Sequence, residues 1–362
     1  MEIKKNDIFT VTIEDMGEDG AGIGRVDGYI WFVKDALIGD TIEASAMKMK
    51  KNYGFARLVR VITPAKGRVE AKCPVARACG GCQLQELDYK EQLKFKEKKV
   101  YNHLKRIGGM ENLFLPEEAE QAAGVPDAVV MEPIIGMEDP WRYRNKAQYP
   151  IAADGAAGFF AFHSHRIVKC PDCALQPEIF SQITAACTEW IRDNSIRVYN
   201  EEKHTGLLRH IYIRIAEKTE EIMVYAVING KTLPGSDDLV SRIKSVCGEK
   251  IKSIGININT DKTNVILGEK CRVLYGEEYI TDILCGVRVR LSPLSFYQVN
   301  RATAERLYKK AAEYAVPAGK TVLDLYCGAG TIGLSMAKEA KKIIGVEIVP
   351  QAVEDARFNA GL

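Results

Sequence analysis

No apolar run in the 362-residue sequence approaches the roughly 18 residues that a transmembrane helix needs. The opening MEIKKNDIFT has no apolar segment behind its basic start, so it does not read as a secretory signal. Internal repeats and low-complexity tracts are missing. An excess of one charge is missing as well: the net charge of +2 names no acidic partner, and only local clusters of basic residues can do so. Together these absences point to a soluble, cytoplasmic chain. Its 46% apolar residues supply cores for two or three domains. In a reducing compartment the ten cysteines are not a disulfide framework. Cys187, Cys247, Cys271 and Cys285 stand among apolar residues and read as small buried hydrophobes. The informative ones are Cys73, Cys79 and Cys82 in CPVARACGGCQLQ, and Cys170 and Cys173 in HRIVKCPDCALQP.

Residues 1–62 alternate apolar and polar positions between glycine-marked turns, which predicts a small oligonucleotide-binding-like (OB-like) β-barrel. At its tip, KMKKNYGFAR (Lys48 to Arg57) interleaves basic residues with Tyr53 and Phe55, a pattern suited to phosphates and stacked bases and equally to a solvated hairpin. The segment LDYKEQLKFKEKKVYNHLKRIGG predicts a helix. Leu93, Val100, Leu104 and Ile107 lie on one face, Lys90, Lys94, Lys98 and Lys105 on the other, and Gly108-Gly109 stop it. Residues 63–290 form a central α+β domain. Its strands are expected in NKAQYPIAA, GAAGFFAF, LRHIYIRIA, EIMVYAVI, KSIGININ, TNVILG and VRVRLS, and two helices in PEIFSQITAACTEWIRDN and SDDLVSRIKSVCG. Residues 291–362 begin with a helix, NRATAERLYKKAAEYA, and continue as strand, glycine turn, helix, strand, helix.

The glycine turn carries the strongest single signal. A buried strand, Thr321 to Leu325, leads into Gly328, Gly330 and Gly333. A helix then runs to about Ala340, and Glu347 stands at the end of a second strand, Ile343 to Val346. This satisfies the G-x-G-x-x-G dinucleotide pattern with an acid about twenty residues on. Asp324, however, would repel a pyrophosphate. It can hold the turn by accepting backbone N–H bonds, or face the cationic end of a ligand. S-adenosylmethionine, with a sulfonium and no phosphate, tolerates that acid, and Glu347 can accept both ribose hydroxyls. S-adenosylmethionine is therefore preferred to NAD. The cysteines taken alone stay open. Cys79-x2-Cys82 with Cys170-x2-Cys173 spells a four-thiolate zinc site, whereas Cys73, Cys79, Cys82 and one of the later pair could hold a [4Fe–4S] cluster.

VLDLYCGAGTIGL, with SPLSFYQVN upstream and GVEIVPQAVEDARFNA downstream, resembles the RNA uracil-5 methyltransferases. The resemblance runs along the chain: residues 1–62 look like that family's TRAM domain, CPVARACGGCQLQ like its iron–sulfur motif, and YRNKAQYP and GLLRHIYIR like its central-domain signatures. TRAM domain plus cysteines looks like the 23S rRNA (uracil-5-)-methyltransferase branch. The resemblance implies cofactor contacts from Gln298, Asp324, Tyr326, Gly328, Gly330 and Glu347. It also implies a [4Fe–4S] cluster on Cys73, Cys79, Cys82 and Cys173, with zinc as the alternative, and it assigns residues 88–126 a place against the C-terminal domain. Cys327 reads as a small residue packed under the turn.

The chemistry so implied adds a cysteine thiolate to carbon 6 of a uracil flipped from the RNA, methylates carbon 5, and removes the carbon-5 proton with a general base. Arg142, Arg144 and Lys146, with Lys48 to Arg57, would hold phosphates. Nothing in residues 1–362 matches the family's nucleophile, base or Asp-Pro-Pro motif, so no catalytic residue is assigned. The expected C-terminal Rossmann-like α/β methyltransferase domain is incomplete, and the chain is read as an inactive, monomeric, C-terminally truncated fragment. A non-catalytic RNA-binding protein with a metal-stapled fold is the alternative, and a zinc-containing NAD oxidoreductase the third reading.

Overall fold

The computed structural model describes residues 3–361, so the outermost ends of the first and last expected domains lie outside the described residues. The chain divides into two compact units, residues 1–136 and 137–362. Residues 63–136, read from the sequence as part of the central domain, share a unit with the barrel.

In the first unit five strands close into a barrel: β1 (Ile8–Met16), β2 (Gly22–Val26), β3 (Tyr29–Lys34), β4 (Thr41–Met49) and β5 (Tyr53–Thr63), in the order β1-β2-β3-β5-β4. Period-2 alternation turns Val11, Ile13, Trp31, Val33, Ile42 and Ala44 inward to make its core. A buried ion cluster anchors the segment that follows. Arg68 donates to both carboxylate oxygens of the fully buried Asp40 and pairs with Glu86, which also holds Arg77. Helix α1 (Tyr89–Asn102) starts at Asp88, whose side chain accepts from the Lys90 amide at 3.0 Å, and continues as a wider helical turn, His103–Ile107, to Gly108. Its expected apolar row is not the buried face: Val100, Leu104 and Ile107 are exposed, and Phe95 is the residue that packs beside Met16, Leu37 and Leu87. A short parallel pair, β6 (Leu113–Phe114) and β7 (Val129–Val130), flanks a single helical turn, α2 (Ala119–Ala122).

The second unit is built on a five-stranded sheet, β14-β13-β12-β11-β8. Its strands are β8 (Lys146–Pro150), β11 (Leu208–Ile215), β12 (Ile222–Ile228), β13 (Ile251–Ile258) and β14 (Lys270–Gly276); β12 and β13 run parallel. A hairpin, β9 (Gly158–Phe160) with β10 (Ile167–Lys169), lies beside β8. Alternation along β11 and β12 serves two cores. Ile211, Ile213, Val224 and Ala226 pack on helices α3 (Glu178–Asp193) and α4 (Ser236–Cys247). Tyr212, Met223, Tyr225 and Val227 pack on the hairpin β15 (Ile280–Leu284) and β16 (Val287–Leu291) and on helix α5 (Arg301–Ala315).

TNVILG is a loop rather than a strand. The Asn259 amide donates to the carbonyls of Val265 and Ile266, and Asn257 exchanges two bonds with Gly268, so side chains satisfy the backbone that a ladder would have used. The chain then forms β17 (Thr321–Leu325), the short helix α6 (Thr331–Ser335), β18 (Lys342–Val346) and α7 (Pro350–Gly361). β17 is not buried as expected: β17 and β18 form a two-stranded parallel sheet in which Leu323, Leu325, Ile344 and Val346 stay exposed. No helix of the described residues is long and apolar enough to cross a membrane.

Candidate cofactor site

Parallel register sets Leu325 beside Val346, so the residues that leave the two strands, Tyr326 and Glu347, emerge at the same end of the sheet. The backbone there turns sharply, with Tyr326 at φ 61°, Gly328 at φ 54° and Gly330 at φ 80°. Tyr326 is 91% exposed, and its left-handed conformation, which L-residues avoid, costs roughly 1 kcal/mol. A Cβ at Gly328 would meet nothing within 4 Å, so glycine serves the dihedral there and leaves open space. At Gly333 the constraint is closeness: a Cβ would lie 2.8 Å from Ile343, where α6 crosses β18.

Both carboxylates hold this turn. Asp324 Oδ2 accepts the Gly333 amide at 2.8 Å. Glu347 Oε1 accepts the amides of Ile348 and Val349, each at 2.8 Å, and Oε2 accepts the Gly328 amide at 3.0 Å. The Val349 and Gly328 amides lower the pKa of Glu347 and keep it ionised. Three of roughly four acceptor positions are thus taken, which leaves one for a ligand hydroxyl where the sequence reading had two. Burial raises the Cys327 thiol, with Asp324 and Glu347 adding to the effect, and its sulfur lies where it would meet a Cβ at Gly345. It is packing, not a thiolate nucleophile.

Gln298 lies on the half-buried loop before α5. Its carbonyl accepts from Asn145 Nδ2 at 3.0 Å, and among the described residues no hydrogen bond joins its side chain to the turn. Both segments are nevertheless tied to α7. Ser295 Oγ donates to Asp355 at 2.6 Å, and Asn359 bridges the Arg290 amide (2.7 Å) and the Ala329 carbonyl (3.0 Å). The sequence reading missed Asn145, Asp355 and Asn359. Asp355 and Asn359, one helical turn apart and both buried, were the available signal.

The expected basic residues divide. Arg142 is committed within the protein: it forks onto Asp172 and donates to the carbonyls of Cys173 and Gln176, so it does not present a phosphate site. Lys146 is half-buried beside Arg214 and Arg144, and burial followed by those two charges lowers its pKa to about 8. On the barrel, Tyr53 and Phe55 project outward and form a ring cluster with Phe32, all centroids within 5.7 Å, next to Lys48 and Arg57.

Among the described residues no group of three or more His, Cys, Asp or Glu side chains is arranged to hold a metal ion. Cys82 Sγ accepts from Gln85 Nε2 at 3.2 Å and Cys79 Sγ from the Gly81 amide at 3.4 Å. Cys173, in the other unit, is lowered well below an ordinary thiol by Cys170 and by the Leu175 and Gln176 amides. Cys73, Cys79 and Cys82 belong to the first unit and Cys173 to the second.

A closed N-terminal barrel and a glycine turn between parallel strands, with an acid at each strand end, define a methyltransferase-type protein with an appended barrel. The TRAM domain family matches residues 4–59, and a methyltransferase domain family matches residues 317–361. An RNA methyltransferase of Halalkalibacterium halodurans, itself uncharacterised, is 44% identical over 99% of this chain and 76% of its own length. One from Clostridium tetani is 40% identical over 99% and 75%. The chain belongs to this RNA methyltransferase family. Among solved structures, the tRNA (uracil-54, C5)-methyltransferase of Pyrococcus abyssi, in complex with S-adenosyl-L-homocysteine, matches with a TM-score of 0.74 and 26% identity over 97% of this chain and 76% of that one.

Proposed function

We propose that this protein binds S-adenosylmethionine at the β17–α6 turn and methylates carbon 5 of uracil in RNA. The observation that carries the reading is the acidic turn itself. Asp324 and Glu347, with no basic residue among the turn residues between Tyr326 and Gly330, suit a sulfonium and oppose a pyrophosphate. Open space at Gly328 admits the ligand, and the free acceptor position on Glu347 suits a ribose hydroxyl. When bound, S-adenosylmethionine supplies an electrophilic methyl group. The chain's own residues fix the turn, keep Glu347 ionised, and tie the loop carrying Gln298 to the same helix. Gln298, Tyr326 and Gly330 complete the proposed cofactor contacts. The P. abyssi structure supports the uracil-5 reaction, since it matches nearly the whole chain and carries the demethylated cofactor.

Two substrates divide the reading. The TRAM domain with the cysteine motif favours 23S rRNA, and the P. abyssi match favours tRNA. Methyl transfer from tritiated S-adenosylmethionine to 23S rRNA and to tRNA transcripts separates them. Label in neither contradicts the reaction. Iron and sulfide content of anaerobically purified protein tests the cysteine expectation. Four of each per chain uphold the cluster; the absence of both metal and sulfide overturns it.

A further inference from the structure

One recess in the second unit has no part in the cofactor site. It measures about 790 Å³, within the range of small-ligand sites, and is walled by the end of β8, the β9–β10 hairpin and the 197–206 loop. Its residues come from four separate stretches of sequence and form no motif. Phe160 stands 5.5 Å from the ring of His165, edge to face, and His165 is exposed at the hairpin turn. Arg166 and Arg197 are exposed at the rim, and neither side chain is engaged in an ion pair or hydrogen bond among the described residues. Arg209 lies among the lining residues and its side chain is 2% exposed. It is locked there by the carbonyls of Asn259 (3.2 Å), Asp261 (2.8 Å) and Thr263 (3.3 Å) and by stacking 4.6 Å from the Tyr199 ring, while its Nε remains buried without a partner.

Glu201 faces Arg209 at 3.6 Å, and Glu202 is the other acid of the lining, so three arginines stand against two glutamates. Carbonyls orient a guanidinium without neutralising it, so the recess keeps a positive excess at its rim. Next to Arg209, His210 is buried with neither ring nitrogen partnered, 6.2 Å from Phe160. A half-buried phenyl ring beside an exposed imidazole, two uncommitted guanidinium groups and an immobile third fit a flat base carrying a phosphate.

We propose that this recess is a second RNA-binding site, taking one unpaired nucleotide of the substrate other than the one that is methylated. Its base lies against Phe160 and His165, and its phosphate lies between Arg166 and Arg197. The inference rests on the RNA methyltransferase reading and extends it to a part of the chain that no cofactor role explains.

The test measures anisotropy of fluorescein-labelled oligouridylate with the wild-type chain, with the double variant Arg166→Glu/Arg197→Glu and with His165→Ala. All three side chains are exposed, and the thermal midpoint checks that each variant remains folded. The double variant is expected to bind about tenfold more weakly or worse, and its salt slope to fall by about 0.7 for each phosphate it no longer neutralises. His165→Ala is expected to bind several-fold more weakly at an unchanged slope. Wild-type binding that neither variant alters overturns the recess and leaves the RNA reading standing; a wild type that does not bind overturns both. Displacement of the oligonucleotide by uridine monophosphate as effectively as by unlabelled oligouridylate reassigns the recess to a free nucleotide and overturns the RNA assignment.

Discussion

At the scale of single residues, Glu347 does two jobs that can be separated. It accepts three backbone amides, and one of its roughly four acceptor positions is left for a ligand hydroxyl. Glu347→Gln keeps the shape but replaces one oxygen by a donor that confronts an amide. Affinity for S-adenosylmethionine in calorimetry is expected to fall about tenfold or more. Lys146 makes a different prediction. Burial, with Arg214 and Arg144 beside it, lowers its pKa to about 8, so the folded state opposes its charge. Between that value and the ordinary lysine range the unfolded chain binds the proton more readily, so stability should rise as pH climbs from about 8 toward that range. Lys146→Met should flatten that rise and, if Lys146 holds a phosphate, reduce the salt slope of RNA binding by about 0.7. Arg142 shows why such roles cannot be read from type alone: the same YRNK stretch contains one cation committed to Asp172 and two carbonyls, and another, Lys146, without a carboxylate partner among the described residues.

Elements set the next level. The loop after the barrel is held by Arg68 on Asp40, whose side chain is fully buried. Burial raises the Asp40 pKa, but Arg68 and the amides of Ala65 and Leu37 outweigh it and leave the carboxyl below its usual range. Stability from this group is present above the unfolded carboxylate range and lost as pH falls through the lowered folded value. Asp40→Asn removes the buried carboxylate and leaves Arg68 with Glu86 and the Asp35 carbonyl; it should cost about 3 kcal/mol in denaturant unfolding, with a flatter acid limb. On the barrel surface, Tyr53 and Phe55 contribute to no core, so Tyr53→Ala and Phe55→Ala should leave unfolding nearly unchanged. Each should weaken RNA binding by about 1 kcal/mol or more if the cluster stacks bases. Helix α1 illustrates the limit of periodicity. Its apolar row predicted the buried face, yet Phe95, outside that row, packs against the core, and Val100, Leu104 and Ile107 remain in solvent.

Across the whole molecule, what the sequence made legible is what short-range rules govern. Alternation exposed the barrel and the central strands, while the glycine spacing gave the turn and placed Asp324 and Glu347 at adjacent strand ends. What it concealed depends on partners distant in sequence. TNVILG has strand composition, but Asn257 and Asn259 capture its backbone. The cysteine spacing resembles a metal motif, but spacing says nothing of whether sulfurs far apart in sequence converge, and Cys173 belongs to a different unit from Cys73, Cys79 and Cys82. The recess around Arg209 draws on four segments and was invisible for the same reason. Most depends on the turn being a seat for a cationic methyl donor. Calorimetric titration with S-adenosylmethionine, repeated in the presence of excess NAD, tests it most directly. One S-adenosylmethionine per chain, undisturbed by NAD and weakened by Glu347→Gln, is the expected result; binding of NAD with no binding of S-adenosylmethionine would contradict it.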